Sequence, residues 1–72
     1  MGKETHLGVV ERKVLGALLL MSDNDMTVKA KMVEIAHMMG YKEVGGVITY
    51  AIRSLDMKNY ISTDNGKYTV LI

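Results

Sequence analysis

A chain of 72 residues makes one small domain that buries only about 60% of the surface its unfolded chain exposes, so its core is thin and self-association is one way to enlarge it. The absence of cysteine excludes a disulfide framework and a thiolate metal site, and suits a reducing, cytoplasmic setting. Nine Lys and Arg stand against eight Asp and Glu for a net charge of +1, so composition alone does not announce a nucleic-acid binder.

Residues 1–6 carry no apolar stretch of the signal-peptide kind, and a myristoylation motif would need Ser or Thr where His6 stands. Residues 1–7 are expected to form a flexible tail. The longest apolar run, residues 14–21 broken by Gly16, is far short of the roughly 20 residues that span a bilayer, so no membrane role is expected. With no proline, repeat or low-complexity tract, residues 1–72 read as a single unit.

The first helix is predicted over residues 8–21, where Val10, Val14, Ala17, Leu18 and Met21 recur at three- and four-residue spacing. Val9, Leu15, Leu19 and Leu20 lie beside that stripe, so the helix is apolar on more than one side, and the excess is assigned to a homodimer contact through helix 1. Ser22-Asp23-Asn24-Asp25 then reverses the chain. Met26 and Thr27 form a brief extended segment, after which Thr27 is placed to cap a second helix over 28–39. Met32, Ile35, Ala36 and Met39 are its apolar stripe, and Gly40 ends it.

After a turn at Tyr41-Lys42-Glu43, the residues Val44, Ile48, Ala51, Ile52 and Leu55 predict a third helix over 44–59, closed by Asn59 in the left-handed region. The last segment, 60–72, changes period: Ile61 and Thr63 precede Asp64-Asn65-Gly66, and residues 67–71 follow it. Asn-Gly between β-branched and aromatic residues predicts a β-hairpin with a primed turn.

This order of elements, with Glu34-Ile35-Ala36-His37-Met38-Met39-Gly40 in the second helix and Ile48, Ile52, Leu55 and Ile61 spaced along the third, resembles the winged helix-turn-helix transcription factors of bacteria, archaea and their phages. The resemblance implies an α+β, mainly α fold of three helices and a C-terminal hairpin wing. It also implies a sequence-specific double-stranded DNA-binding regulator, acting as a homodimer with its third helix in the major groove and its wing on the backbone or minor groove. That family usually has Gly where Asn59 stands, a mild departure. Gly45-Gly46 near the start of the third helix is a larger one: either the backbone there approaches a phosphate or base edge, or the helix begins near Val47.

With Ile48, Ile52 and Leu55 turned inward, Gly45, Gly46, Thr49, Tyr50 and Arg53 form the outward face. Arg53 suits a bidentate guanine contact, and Thr49 and Tyr50 a thymine methyl or a phosphate. Lys29, Lys31, Lys42, Thr63, Asn65 and Lys67 are the candidate backbone contacts.

Five blander or competing readings sit beside this one. Scattered Lys and Arg can be a plain solvated surface. The methionines on the stripes read as core, with Met38 and Met57 open. Glu34-x-x-His37 has one-turn metal-site spacing but no second pair to complete it, so neither metal nor cofactor is expected. No nucleophile pairs with a histidine and no phosphate loop occurs, so neither enzymatic activity nor a small-molecule substrate is expected. The competing function is a winged helix that grips protein instead of DNA, which the near-neutral charge favours and the single outward aromatic, Tyr50, does not.

Overall fold

The computed structural model describes residues 7–71. The tail expected at 1–7 lies outside them except for Leu7, which packs against the core instead of trailing free. The elements run α1 (Val9–Met21), β1 (Thr27–Lys29), α2 (Met32–Met38), α3 (Gly46–Met57), β2 (Ile61–Asp64) and β3 (Lys67–Val70). The architecture is α+β and mainly helical, with three helices against one antiparallel sheet in the strand order β1-β3-β2. No helix among the described residues is long and apolar enough to cross a membrane.

α1 starts one residue later than expected. Gly8 precedes it, and the Glu11 carboxylate accepts the Gly8 backbone N–H at 2.7 Å, so the third residue of the helix satisfies a donor that the helix itself leaves open. Val14, Leu15, Ala17 and Leu18 are buried. Leu15 therefore belongs to the core and not to the outer excess, whereas Val9, Leu19 and Leu20 are exposed.

The second helix departs from expectation. Val28 and its neighbours form β1, and α2 does not begin until Met32. Thr27 caps nothing: its N–H donates to Asp23 Oδ1 at 3.1 Å, its carbonyl accepts the Asp23 N–H at 3.0 Å, and it pairs with Thr69 across the sheet. The same turn holds the Asp23 carboxyl below its ordinary range through the amides of Thr27 and Asp25. Tertiary pairing with β3 overrides a local cap, and a β-branched pair such as Thr27-Val28 suits the strand. Lys31 is the N-cap of α2, and its N–H donates to Glu34 Oε1 at 2.8 Å.

α2 and α3 end alike. Gly40 and Asn59 take φ of 91° and 64°, and each helix is closed by a pair of bonds, Gly40 N to His37 O with Tyr41 N to Ala36 O, and Asn59 N to Asp56 O with Tyr60 N to Leu55 O. This is the Schellman arrangement, which fills carbonyls left open at a helix end. The predicted primed turn is present too, with φ of 43° at Asn65 and 79° at Gly66, between the paired residues Asp64 and Lys67.

The core lies where α1 and α3 meet the inner face of the sheet. Val14, Leu18, Ile35, Ile48, Leu55 and Ile61 are fully buried, and Val28, Tyr68 and Val70 cover them from the strands. Burial pushes the Tyr68 hydroxyl above its ordinary pKa. Glu11 ties the outer edges of α1 and α3 together through Lys58 Nζ at 3.2 Å and the Ser54 hydroxyl.

Candidate nucleic-acid interface

α3 carries its apolar side, Ile48, Ala51, Ile52 and Leu55, into the core, which leaves Gly46, Tyr50, Arg53 and Met57 along the opposite line at four-, three- and four-residue steps. Tyr50 is 72% exposed and Met57 76%. Arg53 is exposed as well. Of the residues expected on this face, Gly45, Gly46, Tyr50 and Arg53 share it. Thr49 does not stand fully outward: it is half-buried, with its hydroxyl 3.3 Å from the Gly45 carbonyl and 3.6 Å from Met32 Sδ.

α3 runs from Gly46 with Gly45 as its N-cap, so the helix begins two residues later than Val44 and within one residue of the alternative start near Val47, and Gly45 fills a cap position that glycine suits. Neither takes a positive φ, since Gly45 sits at −109° and Gly46 is not among the positive-φ residues. A Cβ built on either meets nothing within 4 Å. Neither backbone conformation nor internal packing asks for glycine here. No side chain caps the first turn of α3 and no acidic residue stands in it, in contrast to Glu11 on α1 and Glu34 on α2. The amides of this first turn are left without a side-chain acceptor at the positive end of the helix dipole.

Around α3 the cations are distributed as follows. Lys29 and Lys67 are directly opposite each other across β1 and β3, a like-charge pairing that is unfavourable unless an anion offsets it; Asp64 stands on the other flank of Lys67. Lys31 begins α2, and Lys42 lies in the connection to α3, where its carbonyl accepts from His37 Nε2 at 3.0 Å. A groove of about 280 Å³ between α3 and the hairpin is bordered by Met32, Arg53, Asp56 and Thr63 over a floor of Ile52 and Tyr68. Arg53, Lys29, Lys31, Lys42 and Lys67 form no ion pair among the described residues.

Two expected backbone contacts are placed less simply. Thr63 shares the inward sheet face of Ile61, and its hydroxyl donates to Asp56 Oδ2 at 3.2 Å, so it is committed to α3. Asn65 is spent on the turn through its φ but remains exposed at the hairpin tip. No sequence signal marked Asp56, an acid in the groove itself, or Val47 as a surface residue, and Met57, left open between core and surface, is exposed. The spacing from Gly46 through Tyr50 and Arg53 to Met57 was the available signal for the last of these.

No family model, curated protein or solved structure matches the chain.

Glu34 and His37, the one-turn pair, serve the ends of α2: one accepts the Lys31 N–H and the other holds the Lys42 carbonyl. Among the described residues, no group of three His, Asp or Glu gathers that could hold a metal ion.

Proposed function

We propose that the chain is a winged-helix protein that binds double-stranded DNA and regulates transcription as a homodimer, with α3 in the major groove and the β2–β3 hairpin along the backbone. The order of helices, the short β1 strand paired to β3 and the hairpin after α3 are compatible with that fold. The observation that carries the reading is the bare start of α3: two glycines that the chain itself does not need, no capping acid, and Tyr50 and Arg53 on the next turns of the same face. A close-approaching phosphate or base edge accounts for all three. Arg53 reads a base edge in this proposal, while Lys29, Lys31, Lys42 and Lys67 hold the backbone.

The test is a fluorescence-anisotropy titration on random-sequence duplex at low and moderate salt, with the double variant Arg53→Ala, Lys67→Ala beside the wild type. Salt-sensitive binding that the variant loses supports the reading. Absence of binding at low salt rejects it.

A second reading has its own observation. Val47, Tyr50 and Met57 are exposed on α3, and Val47 and Tyr50 line a largely apolar groove of about 480 Å³ with Val9 and Val10 of α1. Such a cluster suits a protein partner. Val47→Asn separates the two: it weakens a protein contact seated in that groove and, because it adds no charge beside the start of α3, leaves non-specific DNA binding within about twofold, since most of that affinity comes from phosphate contacts.

A further inference from the structure

α1 carries a second line of residues on the side away from the core. Val9, Lys13, Gly16 and Leu20 follow one another at four- and three-residue intervals, so they form one stripe. Leu20 is 80% exposed. Beside it a hollow of about 420 Å³ is lined by Lys13, Gly16, Ala17 and Leu20, with Met38 and Met39 of α2. Gly16 sits in the middle of a 13-residue helix, where glycine is among the poorest formers, yet a Cβ built there meets nothing within 4 Å. Nothing inside the chain asks for a glycine at this point.

We propose that this face is the contact between two copies of the chain, with α1 packed antiparallel on α1 of the second copy and Leu20 of each seated over Gly16 of the other. A twofold contact uses the same patch on both partners and must be complementary to itself. This stripe meets that condition in shape, because the projecting leucine and the bare glycine are four residues apart on one line. It meets it in charge as well. The register that places Leu20 over Gly16 puts the twofold axis level with residue 18, and it sets Lys13 against Asp23 just past the end of the opposing helix. Lys13 forms no ion pair among the described residues, and the Asp23 carboxylate stands exposed, so two pairs of opposite sign flank two leucine–glycine contacts. Met38, half exposed beside the hollow, closes its rim.

The contact rests on the homodimer of the proposed function, but it involves α1 and the end of α2 and leaves α3 free, so its failure is distinguishable from a failure of DNA binding. The experiment is light scattering without DNA across a concentration series, on the wild type, Leu20→Glu and Gly16→Gln. In a lone chain both substitutions face solvent, and Gln is a better helix former than Gly, so far-ultraviolet circular dichroism should keep its helical signal. The expected result is a wild-type dimer and two monomeric variants. A third variant, Lys13→Glu, should weaken the dimer more at low salt than at high salt. A wild type that remains monomeric, a dimer kept by either Leu20→Glu or Gly16→Gln, or a Lys13→Glu dimer unchanged at low salt overturns the proposal.

Discussion

Glu11 shows how much one side chain can join in a chain this small. Its carboxylate takes the Gly8 amide, the Ser54 hydroxyl and the Lys58 ammonium, so it caps the start of α1 and fastens it to α3. These bonds, Ser54 first, hold its pKa below the ordinary glutamate value. A carboxylate lowered in the folded state stabilises the fold fully above the unfolded pKa, and that contribution is lost as pH falls through the folded value. Glu11→Gln keeps an acceptor for the Gly8 amide and the Ser54 hydroxyl and loses the charge, so it should cost about 1 kcal/mol near neutral pH, the difference between charged and neutral hydrogen bonds. The gap between variant and wild type in thermal melts should narrow as the pH is lowered through the acidic range; a gap that stays constant would assign the loss to packing. Asn59 offers a second check. At φ 64° it tolerates what alanine does not, so Asn59→Ala should lower stability by about 1 kcal/mol, while Asn59→Gly should match or exceed the wild type by a few tenths. The left-handed positions at Gly40, Asn59, Asn65 and Gly66 were legible because the residue types announce them. Met26 at φ 61° was not, since methionine carries no such signal: its conformation is imposed by its bond to the Asp23 carbonyl and by the Val70 amide, which donates to the Met26 carbonyl.

At the scale of elements, periodicity placed α1 and α3 to within two residues because each has a four-residue buried set at helical spacing. It overextended α2 because Val28 fits the apolar helical pattern as well as it fits a strand, and only the register with Tyr68 distinguishes them. The better guide to the start of α2 was the acid three residues into the helix, since Glu34 reaches back to Lys31 as Glu11 does to Gly8. The outward face of α3 was partly legible, through Gly46, Tyr50 and Arg53. Asp56 was not, because its place beside Thr63 depends on how the hairpin folds back on α3. An acid in a groove proposed to follow DNA opposes phosphate. Asp56→Asn keeps a side chain able to accept from Thr63 and should tighten binding to random duplex by about 3- to 10-fold at low salt, the scale of one like-charge juxtaposition removed. Binding left unchanged in an anisotropy titration would place the DNA elsewhere than along this groove.

At the scale of the whole molecule, the core comprises 14 buried apolar residues among the described ones, and a chain of this size has a total stability of about 4–11 kcal/mol. Leu55→Ala removes a fully buried side chain beneath α3 and should cost about 2–5 kcal/mol. For a domain of this length each kcal/mol is worth about 4–8 °C, so the melting temperature should fall by at least about 8 °C.

Net charge, the property that argued most against DNA binding, is also the one least suited to decide it. The sum of +1 counts charges that cancel across the molecule, but exposed charges more than about 10 Å apart are largely screened from each other at 0.1 M salt. What a phosphate backbone meets is local. Arg12 and Lys13 belong to α1 and Lys58 to its bond with Glu11, which leaves Lys31, Lys42, Arg53 and Lys67 without an ion pair among the described residues at the start of α2, the approach to α3, α3 itself and the hairpin, with Lys29 on β1 near the Asp23 carboxylate. If four or five of these each displace a counterion, the logarithm of the binding constant should fall against the logarithm of salt concentration with a slope of about −4. The Arg53→Ala, Lys67→Ala variant should flatten that slope by about 1 unit, for the phosphate contact of Lys67, while the loss of Arg53 relaxes sequence preference. A wild-type slope near −1 would mean that the molecule presents only its net charge, and the apolar line of Val47, Tyr50 and Met57 would then be the surface that binds.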